Sequence, residues 1–124
     1  MQRLAVLFDG FEAAEKGVVI YGLADPRELE RVRYVGQAAR PSARYEGHIR
    51  DGRRPYDNPR CRWLHSLAVE DLGPTMLFLE HVMNQDRVAA REARWIERLR
   101  GIGQADLNVA KATAVARVPW RLRR

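Results

Sequence analysis

The chain has 124 residues, of which 46% are hydrophobic and 31% charged, and these values are typical of one globular domain with a single core. The formal net charge is +6 at pH 7, and the single cysteine, Cys61, excludes an intramolecular disulfide. No apolar run approaches the roughly 20 residues that a membrane-spanning helix needs, and the first residues make no convincing signal peptide. We therefore expect a protein without membrane association, in a cytoplasmic setting.

Residues 1–16 carry apolar side chains at helical spacing that is interrupted by a turn signal, Asp9-Gly10. We interpret this segment as a short helix or an extension that packs on the core. The next two segments, Gly17–Leu23 and Arg33–Ala38, have the composition of β-strands. Because a polar stretch separates them, they predict a β-hairpin with a long loop.

Two helices and a third strand are predicted in the middle of the chain. The first helix runs from Pro41, a start signal, to Gly52, a stop signal. The second has Asn58 as a favourable N-cap and Gly73 as the glycine that ends it. The apolar segment Thr75–Val82 then predicts the third strand.

The last long helix is predicted to be capped by Asp86 and to end near Gly101. Its apolar residues recur at three- and four-residue spacing, at Ala89, Ala93, Ile96 and Leu99. A turn and a short helix over residues 108–116 follow, and residues 113–124 are assigned to a basic tail. Together, these elements predict an α/β domain in which a small, mainly antiparallel three-stranded sheet is flanked by helices.

Six polar side chains are candidates for chemistry, in the order Tyr21, Tyr34, Arg44, His48, Glu92 and Asn108. The tyrosines lie in the motifs Val-Ile-Tyr and Tyr-Val-Gly, and a hairpin can bring their hydroxyls to one end of the sheet. Arg44 and His48 are four residues apart and share one face of a helix. Glu92 shares the apolar face of its helix, where a carboxylate is costly without a cation or a hydrogen-bond partner. A proton acceptor, a phosphate-binding cation and a metal-binding carboxylate are what is needed to cut a phosphodiester.

In this order and spacing, the set resembles the GIY-YIG nuclease superfamily over residues 17–112. The chain departs from the family pattern at Val19, which replaces the leading glycine, and at Ala43, where some relatives carry a lysine. The resemblance implies that Tyr21 activates the attacking water. It also implies that Tyr34 orients this water or the phosphate.

For the remaining candidates, the resemblance implies contacts with the phosphate and with a metal ion. The arginine at position 44 would steady the scissile phosphate, and His48 would be a second phosphate ligand or a proton shuttle. A single Mg²⁺ or Mn²⁺ ion would be held by Glu92 together with water and phosphate. Asn108 would make a hydrogen bond in the active site.

Each candidate also has a purely structural interpretation. Strand tyrosines commonly pack in a core, single arginines are usually solvated, and a histidine on a helix is more often structural. Glu92 could form an ion pair with an arginine, and Asn108 could form a turn or cap a helix. The occurrence of all six in one order is what favours the chemical interpretation.

Two groups of basic residues are candidates for contacts with a DNA backbone. The first comprises Arg50, Arg53, Arg54, Arg60 and Arg62, and the second comprises Arg121, Arg123 and Arg124, with Trp120 able to stack on a base. A guanidinium group can bind two phosphate oxygens at once, and a net positive charge favours a polyanionic partner. Arginine-rich segments are, however, usually exposed to solvent without a partner. No base-reading element is recognisable, so we expect DNA binding with little sequence preference.

The sequence thus predicts a metal-dependent DNA endonuclease. A first alternative is a non-catalytic nucleic-acid-binding module that keeps the same fold. A second is a subunit whose basic tail docks on a protein partner. Neither the cleavage-site preference nor the oligomeric state follows from the sequence.

Overall fold

The structure is a computed structural model that describes residues 17–54 and 57–108. The extension predicted at residues 1–16 and the basic tail predicted at 113–124 lie outside the described residues, and so does all but the first residue of the predicted helix 108–116. In the part of the chain that the structure describes, no helix is both long enough and apolar enough to cross a bilayer.

Three antiparallel strands form one sheet in the order β2-β1-β3. The strands are β1 (Val18–Asp25), β2 (Glu28–Ala38) and β3 (Thr75–Val82), and the helices are α1 (Pro41–Gly52), α2 (Pro59–Val69) and α3 (Val88–Arg100). The central strand β1 is buried along its whole length, because it has a neighbour on each side and packed side chains on both faces. The predicted fold class, an α/β domain with a small antiparallel sheet flanked by helices, is confirmed.

The two faces of the sheet carry separate apolar clusters, because successive side chains of β1 point to opposite faces. On one face, Tyr21 and Leu23 pack with Leu67 of α2. On the other face, Ile20 packs with Ile96 of α3. Each fully buried side chain of this size stabilises the fold by roughly 1.5–3 kcal/mol relative to its exposure. The hydroxyl of Tyr21 therefore belongs to the face that α1 and α2 cover.

The hairpin between β1 and β2 is tight, so the predicted long loop is wrong. β2 begins at Glu28 rather than at Arg33, and only Pro26 and Arg27 connect the strands. The Asp25 carboxylate holds this turn by accepting hydrogen bonds from the backbone and the guanidinium group of Arg27 at 2.8 Å. The first three residues of β2 are exposed, and Glu28 and Glu30 on either side of Leu29 are charged, so their composition carries no strand signal.

The bounds predicted for α1 agree with the structure, whereas α2 begins where predicted but ends earlier. Asn58 caps α2 by accepting a hydrogen bond from the Cys61 N–H at 2.9 Å. The helix ends at Val69 instead of continuing to Gly73, and Asp71 adopts the left-handed conformation with a φ of 60°. The backbone N–H groups that follow turn back to carbonyl groups of the last helical turn, so an aspartate takes the position predicted for a glycine.

The cap of the last helix also differs from the prediction. The Asn84 side chain, and not that of Asp86, is the N-cap: it accepts a hydrogen bond from the Asp86 N–H at 2.9 Å. A single 3₁₀ turn, Gln85–Arg87, follows, and α3 begins after it. The sequence therefore predicts an N-cap correctly, but the residue that forms it lies two positions before the predicted Asp86.

The face that α3 turns to the core is shifted from the predicted one. Ala89 and Ala93 are exposed, and the buried residues are Val88, Glu92 and Ile96. These three lie at four-residue spacing, which places them on one side of the helix. The prediction that the carboxylate of Glu92 shares the buried face is therefore confirmed, although two of its predicted apolar neighbours are not there.

The segment that follows α3 runs along the outer edge of β2. The Ala105 N–H donates to the Val32 carbonyl at 2.8 Å, and the Asp106 carboxylate accepts a hydrogen bond from the Arg33 guanidinium at 2.9 Å. Such pairing covers an edge that would otherwise expose unsatisfied backbone groups. It also fixes the strand that carries the second motif tyrosine.

Candidate functional site

A cleft of about 440 Å³ opens where β1 and β2 meet the three helices. It is lined by Tyr21, Tyr34, Gly36, Gln37, Arg44, Gly47, His48, Arg50, Asp51, Arg54, Arg60 and Glu92. Five of the six residues predicted for chemistry are in this set, together with three of the arginines predicted for DNA contacts. Four arginines face two carboxylates, so the cleft has a positive charge balance.

The hydroxyl of Tyr21 depends on the glycine that lies across from it. Tyr21 in β1 pairs with Gly36 in β2, and a Cβ atom at Gly36 would stand 2.5 Å from the Tyr21 hydroxyl oxygen. A side chain at this position of β2 would therefore displace the phenol ring. The Tyr-Val-Gly motif thus has a glycine at this position because a residue without a side chain leaves room for the tyrosine of the other motif.

His48 is buried between the two tyrosines. Its Nε2 atom lies 2.7 Å from the Tyr21 hydroxyl oxygen, and its ring meets the rings of Tyr21 and Tyr34 edge to face at centroid distances of 5.8 and 5.7 Å. Its Nδ1 atom lies 3.0 Å from Nη1 of Arg60, which also donates to the Asp51 carboxylate at 3.0 Å. The imidazole is therefore held at both ring nitrogens.

Burial shifts the protonation of both partners of the Tyr21–His48 contact. The pKa of His48 is lowered to about 4 by burial first and then by the positive charges of Arg60 and Arg44, against the opposing effect of Asp51. At neutral pH, the imidazole is therefore uncharged. The pKa of Tyr21 is raised well above its usual value, by burial first and then by neighbouring Tyr34, so the phenol keeps its proton at neutral pH.

Glu92 brings a carboxylate from α3 to the cleft wall. Only 3% of its surface is exposed, and its Oε1 atom accepts a hydrogen bond from the Gln37 amide at 3.0 Å. Among the described residues, no group of three or more His, Cys, Asp or Glu side chains could hold a metal ion. A magnesium ion that keeps most of its water shell can be held by one carboxylate and a phosphate, and such a thin site is compatible with this cleft.

Of the four arginines of the cleft, three lie on helix α1 or just after it, and Arg60 lies on α2. Arg44 lies near its start and Arg50 near its end, so at a rise of about 1.5 Å per residue they are roughly 9 Å apart along the axis, and Arg54 lies two residues after the end of the helix. Gly47 lies between them on the same wall. Apart from its chain neighbours and the backbone of its own helix, the only described atom within 4 Å of a Cβ built at Gly47 is Nη2 of Arg50, at 3.6 Å. The helix thus has open space in the middle of a row of cations.

Asn108 does not line the cleft, so the structure gives it a different position from the one predicted. Its Oδ1 atom accepts a hydrogen bond from the Val35 N–H at 2.7 Å, and its Nδ2 atom donates to the Val35 carbonyl at 2.8 Å. The amide thereby pairs with β2 as a neighbouring strand would. Because Val35 lies between Tyr34 and Gly36, Asn108 supports the cleft from behind and does not reach into it.

Two of the arginines predicted for DNA contacts also lie outside the cleft lining. Arg62 is exposed and forms an ion pair with Asp57, and Arg53 borders a smaller cavity on the other side of His48. The predicted tail contacts, Trp120, Arg121, Arg123 and Arg124, lie outside the described residues.

Sequence patterns did not identify four of the residues that line the cleft. These are Gly36, which was noted only as part of a motif, and Gln37, Gly47 and Asp51. Gly47 and Asp51, the two of these residues that lie on α1, had a weak signal. They lie three and seven residues after Arg44, on the same helix face. For Gln37, the neighbouring motif glycine was the only signal.

Comparisons with protein-family models, with curated proteins and with solved structures found no match for this chain. Its function is therefore inferred from the cleft itself.

Proposed function

We propose that this protein is a metal-dependent endonuclease of GIY-YIG type that hydrolyses phosphodiester bonds in DNA. One observation carries the proposal. A single cleft with a positive charge balance collects Tyr21, Tyr34, Arg44, His48 and Glu92, which come from four different elements of the fold. A purely structural role for each of these side chains would not require them to share one cavity.

In the proposed reaction, an oxygen–phosphorus bond forms from water as the bond from phosphorus to the leaving oxygen breaks. The proton of the water passes to the ionised oxygen of Tyr21, which hydrogen-bonds to His48. The leaving oxygen departs with the bonding electron pair and takes a proton from bulk water, and Tyr21 then returns its proton to bulk water. Tyr34 orients the water or the phosphate, and Arg44 balances the charge that develops on the phosphate oxygens. DNA is the expected substrate because the cleft is positive and its arginines can hold successive phosphates.

A divalent cation fits this chemistry because Tyr21 must lose its proton to act as a base. The raised pKa of Tyr21 means that its ionisation needs an additional positive charge near the cleft. Mg²⁺ or Mn²⁺, when bound at Glu92, would supply that charge and would neutralise the leaving oxygen. Gln37 orients the Glu92 carboxylate by donating to one of its oxygens.

The same raised pKa favours a second candidate function, a nucleic-acid-binding module without catalysis. A phenol that keeps its proton is a poor base, while the arginines would still bind phosphates. Burial of the Glu92 carboxylate argues against this alternative, because binding of a polyanion gains nothing from a negative charge in the cleft.

Nicking of supercoiled plasmid in the presence of Mg²⁺ separates the two candidates. The nuclease proposal requires nicking by the wild-type protein, its loss on addition of a chelator, and its loss in Tyr21→Phe. A matched control is Tyr45→Phe, because the Tyr45 hydroxyl bonds to the Pro74 carbonyl and does not line the cleft. A protein that shifts DNA in a gel but does not nick it under any of these conditions is the binding module.

A further inference from the structure

The hydrogen bonds of His48 fix which of its ring nitrogens carries the proton. A guanidinium group has only donors, so the contact of 3.0 Å between Arg60 Nη1 and His48 Nδ1 requires Nδ1 to be the acceptor. Nη1 carries two hydrogens, and the second is donated to the Asp51 carboxylate at 3.0 Å. A hydrogen on Nδ1 would instead point at the hydrogens of Arg60.

In a neutral imidazole with an unprotonated Nδ1, the hydrogen must be on Nε2. The atom 2.7 Å from Nε2 is the Tyr21 hydroxyl oxygen, so in this contact the histidine donates and the tyrosine oxygen accepts. The lowered pKa of His48, about 4, agrees with a neutral ring. The hydroxyl hydrogen of Tyr21 must then point away from His48.

We propose that Arg60, anchored by Asp51, is a positioning residue that holds His48 in the Nε2–H tautomer so that it donates a hydrogen bond to Tyr21. The catalytic consequence rests on the proposed nuclease function. A donor at the Tyr21 oxygen stabilises the phenolate that activates water, and His48 is not the base that removes the tyrosine proton. Arg60 also lies over the Tyr34 ring, with its Cζ atom 5.6 Å from the ring centroid, which restricts its movement.

The tautomer can be measured without any substrate. In ¹⁵N-labelled protein at pH 7, two-bond correlations within the imidazole ring distinguish a protonated from an unprotonated nitrogen, and the His48→Gln variant identifies the signals of His48. We expect an unprotonated Nδ1 and a protonated Nε2. An Nδ1–H tautomer in the wild-type protein would overturn the proposal.

The role of Arg60 is tested by Arg60→Met against Arg62→Met, two changes on the same helix that each remove one charge. Arg62 is an exposed residue that pairs with Asp57, so its loss leaves His48 untouched. We expect Arg60→Met to give a mixture of tautomers and to raise the pKa of His48, and Arg62→Met to change neither. Equal spectra for the two variants, with amide spectra that show both folded, would contradict the proposal.

The catalytic consequence is tested by replacing the histidine with two amides. In His48→Gln, the side-chain NH₂ group lies close to the position of Nε2 and can still donate to Tyr21, whereas the shorter His48→Asn cannot reach it. We expect the glutamine variant to retain a single-turnover rate at least about tenfold above that of the asparagine variant. Equal rates would show that donation to Tyr21 contributes nothing. An inactive wild-type protein would reject the nuclease function while leaving the measured tautomer valid.

Discussion

Gly36 and Tyr21 are partners across the β1–β2 ladder, and the space left by the missing Cβ of Gly36 is occupied by the Tyr21 hydroxyl. The same hydroxyl is the atom that contacts His48 at 2.7 Å. The position of a proposed catalytic atom is therefore set by a residue that has no side chain of its own. This relationship connects the packing of the sheet to the chemistry of the cleft.

We expect Gly36→Ala to lower cleavage strongly, because its methyl group would lie 2.5 Å from the Tyr21 oxygen and must displace the ring. Overpacking of this kind destabilises a core by about 1–3 kcal/mol. Thermal unfolding and single-turnover cleavage measure the two effects. The control is Gly101→Ala at the end of α3, where the nearest atom to a new Cβ is 3.4 Å away. Full activity of a folded Gly36→Ala protein would show that the tyrosine position does not matter.

Loss of the two tyrosine hydroxyls should have unequal effects. Tyr21→Phe removes the proposed proton acceptor, and general-base catalysis contributes about 10²- to 10⁴-fold in rate. Tyr34→Phe should cost less, because its hydroxyl only orients the water or the phosphate. Single-turnover rates at saturating DNA give the comparison. Equal and near-zero effects would leave both residues with a packing role only.

Glu92→Gln should abolish metal-dependent cleavage while leaving the fold and DNA binding largely intact. Glutamine keeps the shape of the side chain but loses the charge that would hold the cation. Glu97→Gln is the matched control, since Glu97 is an exposed residue on the same helix. Plasmid nicking, DNA binding and thermal unfolding are compared for the two variants. Nicking at the wild-type rate by Glu92→Gln would remove this carboxylate from the metal site.

Gly47→Ala should make the protein more stable and less active. Glycine inside a helix is destabilising by roughly 0.5–1 kcal/mol relative to alanine, and beyond its chain neighbours and its own helix backbone a Cβ here meets only Arg50, at 3.6 Å, among the described residues. The new methyl group would, however, occupy space in the cleft between cations that we expect to hold phosphates. The Tm should therefore rise while the Kd for DNA increases. A rise in Tm with unchanged binding would mean that DNA does not approach this part of α1.

The free energy of unfolding should fall as the pH is lowered from about 6.5 to about 4. Because the pKa of His48 in the folded protein, about 4, lies below its ordinary value of 6.5, the unfolded chain takes up a proton first. The neutral ring contributes its full stabilisation at pH values above 6.5, the ordinary pKa of histidine. This stabilisation is lost as the pH falls through about 4, the pKa of His48 in the folded protein. A pKa shift of this size corresponds to a loss of on the order of 3 kcal/mol in the free energy of unfolding.

Urea unfolding at a series of pH values measures this loss, and His48→Gln should flatten it. The charged and titratable groups that face the ring are Tyr21, Tyr34, Arg44, Asp51 and Arg60. His65→Gln is the control, because His65 is exposed and lies outside the cleft. An identical pH dependence in His48→Gln and the wild-type protein would show that His48 does not titrate with folding.

Local signals in the sequence were sufficient for most of the secondary structure and for the main members of the cleft. A proline and a glycine mark the ends of α1, Asn58 caps α2, and helical spacing puts the carboxylate of Glu92 on a buried face. Such features depend on residues within one or two turns of each other, so the chain order alone contains them. The ordered tyrosines, Arg44 and His48 could be assigned to one site because a hairpin and the helix after it are adjacent in sequence.

Only the tertiary structure decided which side chains complete that site. The bond from Gln37 to Glu92 joins residues 55 apart, and those from Asn108 to Val35 join residues 73 apart. Contacts between residues so far apart produce no periodic pattern in the sequence, because neither residue is unusual in its own segment. The tautomer of His48 is a further case: it depends on which group contacts Nδ1, and only the folded chain brings the Arg60 guanidinium there. The sequence by itself therefore determined the chemical groups, and the packing of the helices against the sheet determined which of them touch.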